Sequence, residues 1–321
     1  MWFGDFFSEY RGIMNQELVC WLKNEIKKRY GNVKRARGIY LYTEKSVRLT
    51  DCFLDGGRGI LGHGGGKAKT AFKDCFERGA NGFYDSGLLP AFKKSVKRLL
   101  PAEYTEIRLY SEKTAAMLGG TSFSLESIQK KAGAVSEQTS CVLESSPKKA
   151  EPVLWRPWLD FAGKITEQPT GYPKIEVVYN VAGDFPAIVK IVPPFTYATD
   201  ISVYAFSKAC GEEMLQNLPK NDVVPSPLLA AYTRSFYDLL NSFSLFTEKD
   251  FKANSKALEP YFTRNQCYLF PKIPEAQYKD FVLKCLDAGI VISPDYNVPS
   301  IMPWRANPGD IKKISKINLE G

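Results

Sequence analysis

The sequence predicts an α/β protein in which helices and strands alternate and pack in layers. Three observations predict it. Segments with apolar residues at helical spacing, such as KAKTAFKDCFERG and LLPAFKKSVKRLL, alternate with β-branched runs of buried-strand length, such as AIVKIVP and ISVYAF. Glycines and prolines fall at the joins, with Gly31, Gly79 and Gly289 placed where helices should stop. The chain has 321 residues, 44% of them hydrophobic, which is enough for one large core or two ordinary ones.

In chain order, residues 16–30 read as a helix, with Leu18, Leu22 and Ile26 on one side and Gly31 as its stop. RGIYLYTEKSVRLTDCFLD then reads as two short strands joined by a turn over 43–46. The helix KAKTAFKDCFERG places Ala71, Phe72, Cys75 and Phe76 on one face. In LLPAFKKSVKRLLP, Pro90 suits a first helical turn and Pro101 closes the segment. The strand EIRLY follows and leads to a helix start at Thr114. Residues 119–152 are poor in large apolar side chains and read as a connection. IEVVYNV, AIVKIVP and ISVYAF return as strands, and SPLLAAYTRSFYDLLNSF reads as a long helix. The last segment reads as helix, glycine stop, strand, loop and a terminal helix opened by Asn307, Pro308 and Asp310. A boundary near residue 240 divides the chain into an N-terminal segment 1–50 contributing to a small domain, a large α/β domain 51–240 and a C-terminal α+β domain 241–321.

Composition excludes several classes of function. Seven cysteines occur without a CxxC pair, which argues against a zinc ribbon, a redox dithiol or a disulfide scaffold. The single histidine, His63, rules out a His-rich metal site and leaves a Ser/His/Asp triad one poorly fixed candidate. No secretory signal or membrane-spanning run is read, so the expected setting is the cytoplasm. The net charge of +8 raises nucleic acid or a small anion as a partner. Its two basic clusters, Lys23–Arg37 and Lys93–Arg98, share their segments with apolar residues at helical spacing, and read as solvated helix faces.

The stretch RLTDCFLDGGRGILGHGGGKAKTAF holds seven of the 24 glycines and His63. A Walker A loop fails twice, because Leu61 stands where its first glycine belongs and Ala68 follows Gly66-Lys67. Gly57-x-Gly59-x-x-Gly62 matches a dinucleotide fingerprint, but the acidic residue expected about 20 positions later would fall in the following helix. The stretch therefore reads as a lead-in from the N-terminal strands to the large domain, with His63 a turn residue.

The order of these pieces resembles the class III aminotransferases and glutamate-1-semialdehyde aminomutases, enzymes of the pyridoxal-phosphate (PLP) fold type I. Leu61-Gly62-His63 and Arg78-Gly79 match its entry segment. IRLYSEKTAAM falls at its phosphate-binding helix start, ISVYAFSKACGEE at its lysine segment, and residues 200–318 follow in register. The resemblance implies a large domain with a mostly parallel mixed sheet flanked by helices, a smaller α+β domain, and a homodimer.

It also implies the chemistry. A PLP enzyme needs a lysine to hold the aldehyde as an imine, donors for the phosphate, and an acid against the pyridine nitrogen. Lys208, following a buried strand, is the lysine that the resemblance implies, with burial expected to favour its neutral, nucleophilic form. Ser111, Lys113 and Thr114 are the implied phosphate ligands, through backbone amides, hydroxyls and charge, and His63 the residue near substrate. The activity implied is that of a PLP-dependent aminotransferase acting on a small amino compound. Glu112-Lys113 stand where the family carries Gly-Thr, and no Asp-Glu-Val triplet precedes the lysine. These departures motivate a second reading, a non-catalytic relative serving as a binding or structural protein.

Overall fold

The computed structural model describes residues 16–64, 66–80, 87–100, 102–111, 113–115, 153–155, 188–197, 199, 201–242, 254–265, 267–302 and 306–317. The expected connection over 119–152 and the strand over 175–181 lie outside them.

The first helix, α1 (Gln16–Tyr30), ends as expected at Gly31, whose φ of 75° continues no helix. The basic cluster expected on one helix is divided, because Val33–Arg37 forms β1 instead. β1 pairs with β2 (Tyr40–Thr43), β2 pairs with β3 (Arg48–Asp51), both antiparallel, and β3 takes β10 (Ile290–Val291) as a parallel partner. The N- and C-terminal parts of the chain thus share one sheet. A hairpin of β8 (Phe262–Asn265) and β9 (Tyr268–Pro271), extended by β11 (Ser300–Ile301), packs with it, as does the helix Glu275–Asp287. Their common core runs from Leu22 and Leu49 to Phe281, Ile290 and Ile311.

The second sheet positions the candidate site. It has the order β4 (Tyr104–Ser111), β7 (Ile201–Ser207), β6 (Ile188–Ile191), β5 (Val153–Trp155). β5 and β6 are parallel, whereas β7 runs antiparallel to both neighbours. The mostly parallel sheet expected from the resemblance is therefore mixed among the described residues. Only nine residues separate Ile191 from Ile201, too few for the crossover that a parallel return requires. One face of this sheet is covered by α2 (Gly66–Glu77), α3 (Leu88–Lys97) and the long helix Ser226–Ser242. On α2 Ala68 and Cys75 are buried and Ala71 and Phe72 half-buried, with Phe72 packed against the core, so the face read from the sequence holds except at Phe76, which is 57% exposed. On α3, Phe92 and Val96 are fully buried, Phe92 lying 6.4 Å from Tyr232 and 6.2 Å from Phe236.

Both basic clusters hold cations that are already engaged. Lys93 Nζ lies 2.7 Å from Glu106, Arg98 stacks over Tyr237, and Arg29 pairs with Glu25 and Asp287. Among the described residues no helix is long and apolar enough to cross a membrane, and no group of three or more metal-ligating side chains occurs.

Candidate functional site

Because β7 is antiparallel to both neighbours, β4 and β6 point the same way and end at one edge of the sheet, together with β5. The carboxyl edge of such strands is where open α/β sheets bind ligands. Ser111 closes β4 at this edge, and Lys113 and Thr114 begin the helical turn after it. After β6 the chain continues as Val192-Pro193-Pro194-Phe195-Thr196-Tyr197. Phe195 and Tyr197 are stacked at 6.3 Å, Phe72 of α2 lies 5.7 Å from Tyr197, and Phe195 meets Tyr232 edge-on.

The glycine run packs against this loop. Arg58 Nη1 donates to the Tyr197 carbonyl at 3.2 Å. A Cβ at Gly59 would come within 3.2 Å of the Leu54 carbonyl and 3.3 Å of the Thr196 methyl, so glycine permits the approach. His63 is a fixed turn residue: it exchanges backbone hydrogen bonds with Gly38, and its Nε2 lies 2.7 Å from Asp51 Oδ2. Asp51 Oδ1 in turn accepts from the amides of Phe53 and Leu54. Burial alone would lower the His63 pKa, but the Asp51 hydrogen bond and charge, with Asp55 behind them, raise it above 6.5. His63 holds the glycine run to β3 and to the turn between β1 and β2, and nothing at the strand ends touches it among its described contacts.

The sequence-derived site residues divide into two groups. Ser111 and Thr114 lie together, the Ser111 hydroxyl 3.2 Å from Thr114 Oγ1, with Lys113 exposed between them. Lys208 does not join them. It follows β7, and the β4–β7 register sets Ile201 opposite Ser111 and Ser207 opposite Tyr104. At roughly 3.4 Å per residue, the length of β4 separates Lys208 from Ser111 by upward of about 20 Å. The Lys208 amide donates to Glu103 at 2.9 Å, at the opposite end of the sheet. Its side chain is exposed, which corrects the expectation of a buried lysine. Nearby, burial pushes the Cys210 thiol up to about 11, so it is protonated at neutral pH.

A second feature distinguishes the Ser111 end. The Ser111 amide donates to Asp222 Oδ2 at 2.6 Å. That amide, then the Thr114 and Ser111 hydroxyls, hold the Asp222 carboxyl below the usual carboxylate range. Two of the three residues read as phosphate ligands, Ser111 and Thr114, already face a carboxylate. Pyridoxal phosphate therefore does not fit: its phosphate would meet Asp222, and an imine at Lys208 lies beyond the reach of a molecule anchored at Ser111. No lysine occurs between Ile191 and Ile201, where β6 ends beside that anchor.

Asp222, Asp51, Arg58 and Tyr197 carry this geometry, and the sequence reading singled out none of them. Asn221-Asp222 carried one signal: an Asn-Asp pair in a polar turn shortly before Pro225.

No protein-family profile matches the chain. It is 26% identical over 330 residues to an uncharacterized protein of Treponema pallidum (strain Nichols), covering 87% of this chain and 91% of that one. An uncharacterized protein of Borreliella burgdorferi is 24% identical over 287 residues, covering 89% of each. Among solved structures it is similar to an ornithine aminotransferase from Plasmodium yoelii (TM-score 0.52, 13% identity, 93% of this chain and 97% of that one). It is also similar to an acetylornithine aminotransferase from Elizabethkingia anophelis (TM-score 0.53, 12% identity, 94% and 99%). An S-selective transaminase from Arthrobacter sp. matches with TM-score 0.54 and 13% identity, over 95% of this chain and 97% of that one. The fold is thus that of the aminotransferases, PLP enzymes of fold type I. At these identities the likeness concerns the fold alone.

Proposed function

We propose that this protein is a non-catalytic relative of the fold-type-I aminotransferases that has kept the architecture and serves as a binding protein. The observation that carries this reading is the antiparallel register of β7, which separates Lys208 from Ser111 and Thr114 by the length of β4. Imine chemistry needs the lysine and the phosphate anchor on one small molecule. The engaged cations of both basic clusters favour this reading over nucleic-acid binding. A homodimer belongs to it as carried over from the resemblance, and a cytoplasmic setting as carried over from the composition.

The fold match across more than nine-tenths of the chain favours a second reading, a PLP-dependent aminotransferase acting on an amino compound through Lys208. One experiment separates the two. The protein is incubated with pyridoxal phosphate, reduced with borohydride and mapped by peptide mass spectrometry beside Lys208→Ala. The first reading expects no stoichiometric adduct at Lys208 and identical spectra for both proteins. A single adduct at Lys208, with an imine absorbance absent from the variant, overturns it in favour of the second.

A further inference from the structure

We infer that Asp222 stands in for an anion at the end of β4 and thereby closes the donors of Ser111 and Thr114 to phosphate-bearing ligands. The inference deepens the proposed loss of PLP chemistry and rests on that reading.

Four further contacts hold the Asp222 segment in place. Along the outer edge of β4, the Asp222 amide donates to the Leu109 carbonyl at 2.9 Å, and Asn221 Oδ1 accepts from the Leu109 amide at 2.9 Å. The Tyr110 hydroxyl donates to the Pro219 carbonyl at 2.8 Å, and Leu218 is buried against Tyr110 and Phe206. Residues 218–222 are thus laid along β4 as an irregular edge partner. The carboxylate is delivered to the Ser111 amide by main chain that cannot move away without breaking these bonds. An amide bonded at 2.6 Å to an ionised carboxylate has no second place for a phosphate oxygen. A dianion brought alongside would also meet a like charge. The Thr114 amide is directed to the Ser111 hydroxyl at 3.3 Å, which removes it from the same donor set. Loss of phosphate binding is therefore built into the chain at Asp222, independently of where a lysine lies.

The test uses pyridoxine 5′-phosphate, which has no aldehyde and so reports phosphate binding without an imine, and inorganic phosphate beside it. Thermal unfolding of the full chain is followed at constant ionic strength over a titration of each. The wild-type Tm is expected to stay unchanged, Asp222→Ala to fall by a few degrees, and Asp222→Asn, which keeps the acceptor oxygen but not the charge, to lie between them. A saturable rise of the wild-type Tm with either compound overturns the inference, as does an Asp222→Asn protein as stable as wild type. A borohydride-reducible adduct at Lys208 without such a rise would defeat the proposed function and leave the role of Asp222 intact.

Discussion

At the scale of single residues, the chain's only histidine has a structural part that its place among glycines conceals. His63 is 11% exposed and Asp51 4%, and each is joined to backbone on both sides. Removing the imidazole leaves a buried carboxylate oxygen without its partner, so His63→Gln is expected to cost about 1–3 kcal/mol. The pH dependence follows from the sign of the shift. The folded pKa is raised above 6.5, so the contribution is fully present below the unfolded value and is lost as pH rises through the folded one. The difference in unfolding free energy between wild type and His63→Gln should therefore shrink from mildly acid to mildly alkaline pH, measured by urea denaturation. A difference that grows with pH would mean that the imidazole is held neutral. The signal for this role was in the sequence only as Asp51, twelve residues earlier, and nothing local ties an aspartate on a strand to a histidine after a turn.

At the scale of elements, what was legible depended on whether the determining interaction is local. Helix stops at Gly31, Gly79 and Gly289, all at positive φ, and the Asn307 cap, whose side chain accepts from the Gly309 amide, were readable because each acts within one turn. Strand existence was readable for β6 and β7 from their β-branched runs, and β4 was legible as EIRLY. Strand direction was not fixed by ISVYAF itself, which has the same alternation whichever way it runs; the nine residues after Ile191 exclude a parallel return beside β6, and pairing with β4 sets the rest. That direction places Lys208 at the wrong end of the sheet for the site the sequence suggested. Helix orientation on α2 was legible except at its edge, where spacing allows Phe76 on the face and packing against Ser226–Ser242 centres it on Ala68, Phe72 and Cys75. The two helices give a paired test. Phe92→Ala on α3, which empties a fully buried place beside Tyr232 and Phe236, should cost about 3–5 kcal/mol. Phe76→Ala on α2, at 57% exposure, should stay within about 0.5 kcal/mol of wild type. Equal losses in chemical denaturation would contradict the placement of α2.

At the scale of the whole molecule, the two ends of the chain form one structural unit. β10 is two residues long and finds its partner in β3, with Ile290 opposite Thr50 and Val291 opposite Asp51. Asp310, near the C-terminus, accepts from Tyr40 at 3.0 Å and from Arg48 at 2.9 Å, and lies 3.3 Å from Lys313. Burial alone would raise its pKa, yet the Tyr40 and Lys313 hydrogen bonds and the Arg48 charge lower it below 3.8. Its contribution is thus present above the unfolded value and disappears as pH falls through the folded one. Tyr30 donates to the Leu286 carbonyl, Tyr261 to that of Ile317, and the core that includes Phe281 and Ile311 also includes Leu22, Leu41 and Leu49. A fragment of residues 241–321 would keep the β8–β9–β11 sheet but lack the three strands that share a sheet with β10, and a large part of that core. It should show no cooperative thermal transition alone, and should gain helicity and a transition when mixed with a fragment of residues 1–64. Asp310→Asn in the C-terminal fragment should weaken that complementation at neutral pH and have little effect in acid, as read by circular dichroism. A C-terminal fragment that unfolds cooperatively by itself would show that the N-terminal strands are an attachment to this unit and not part of it.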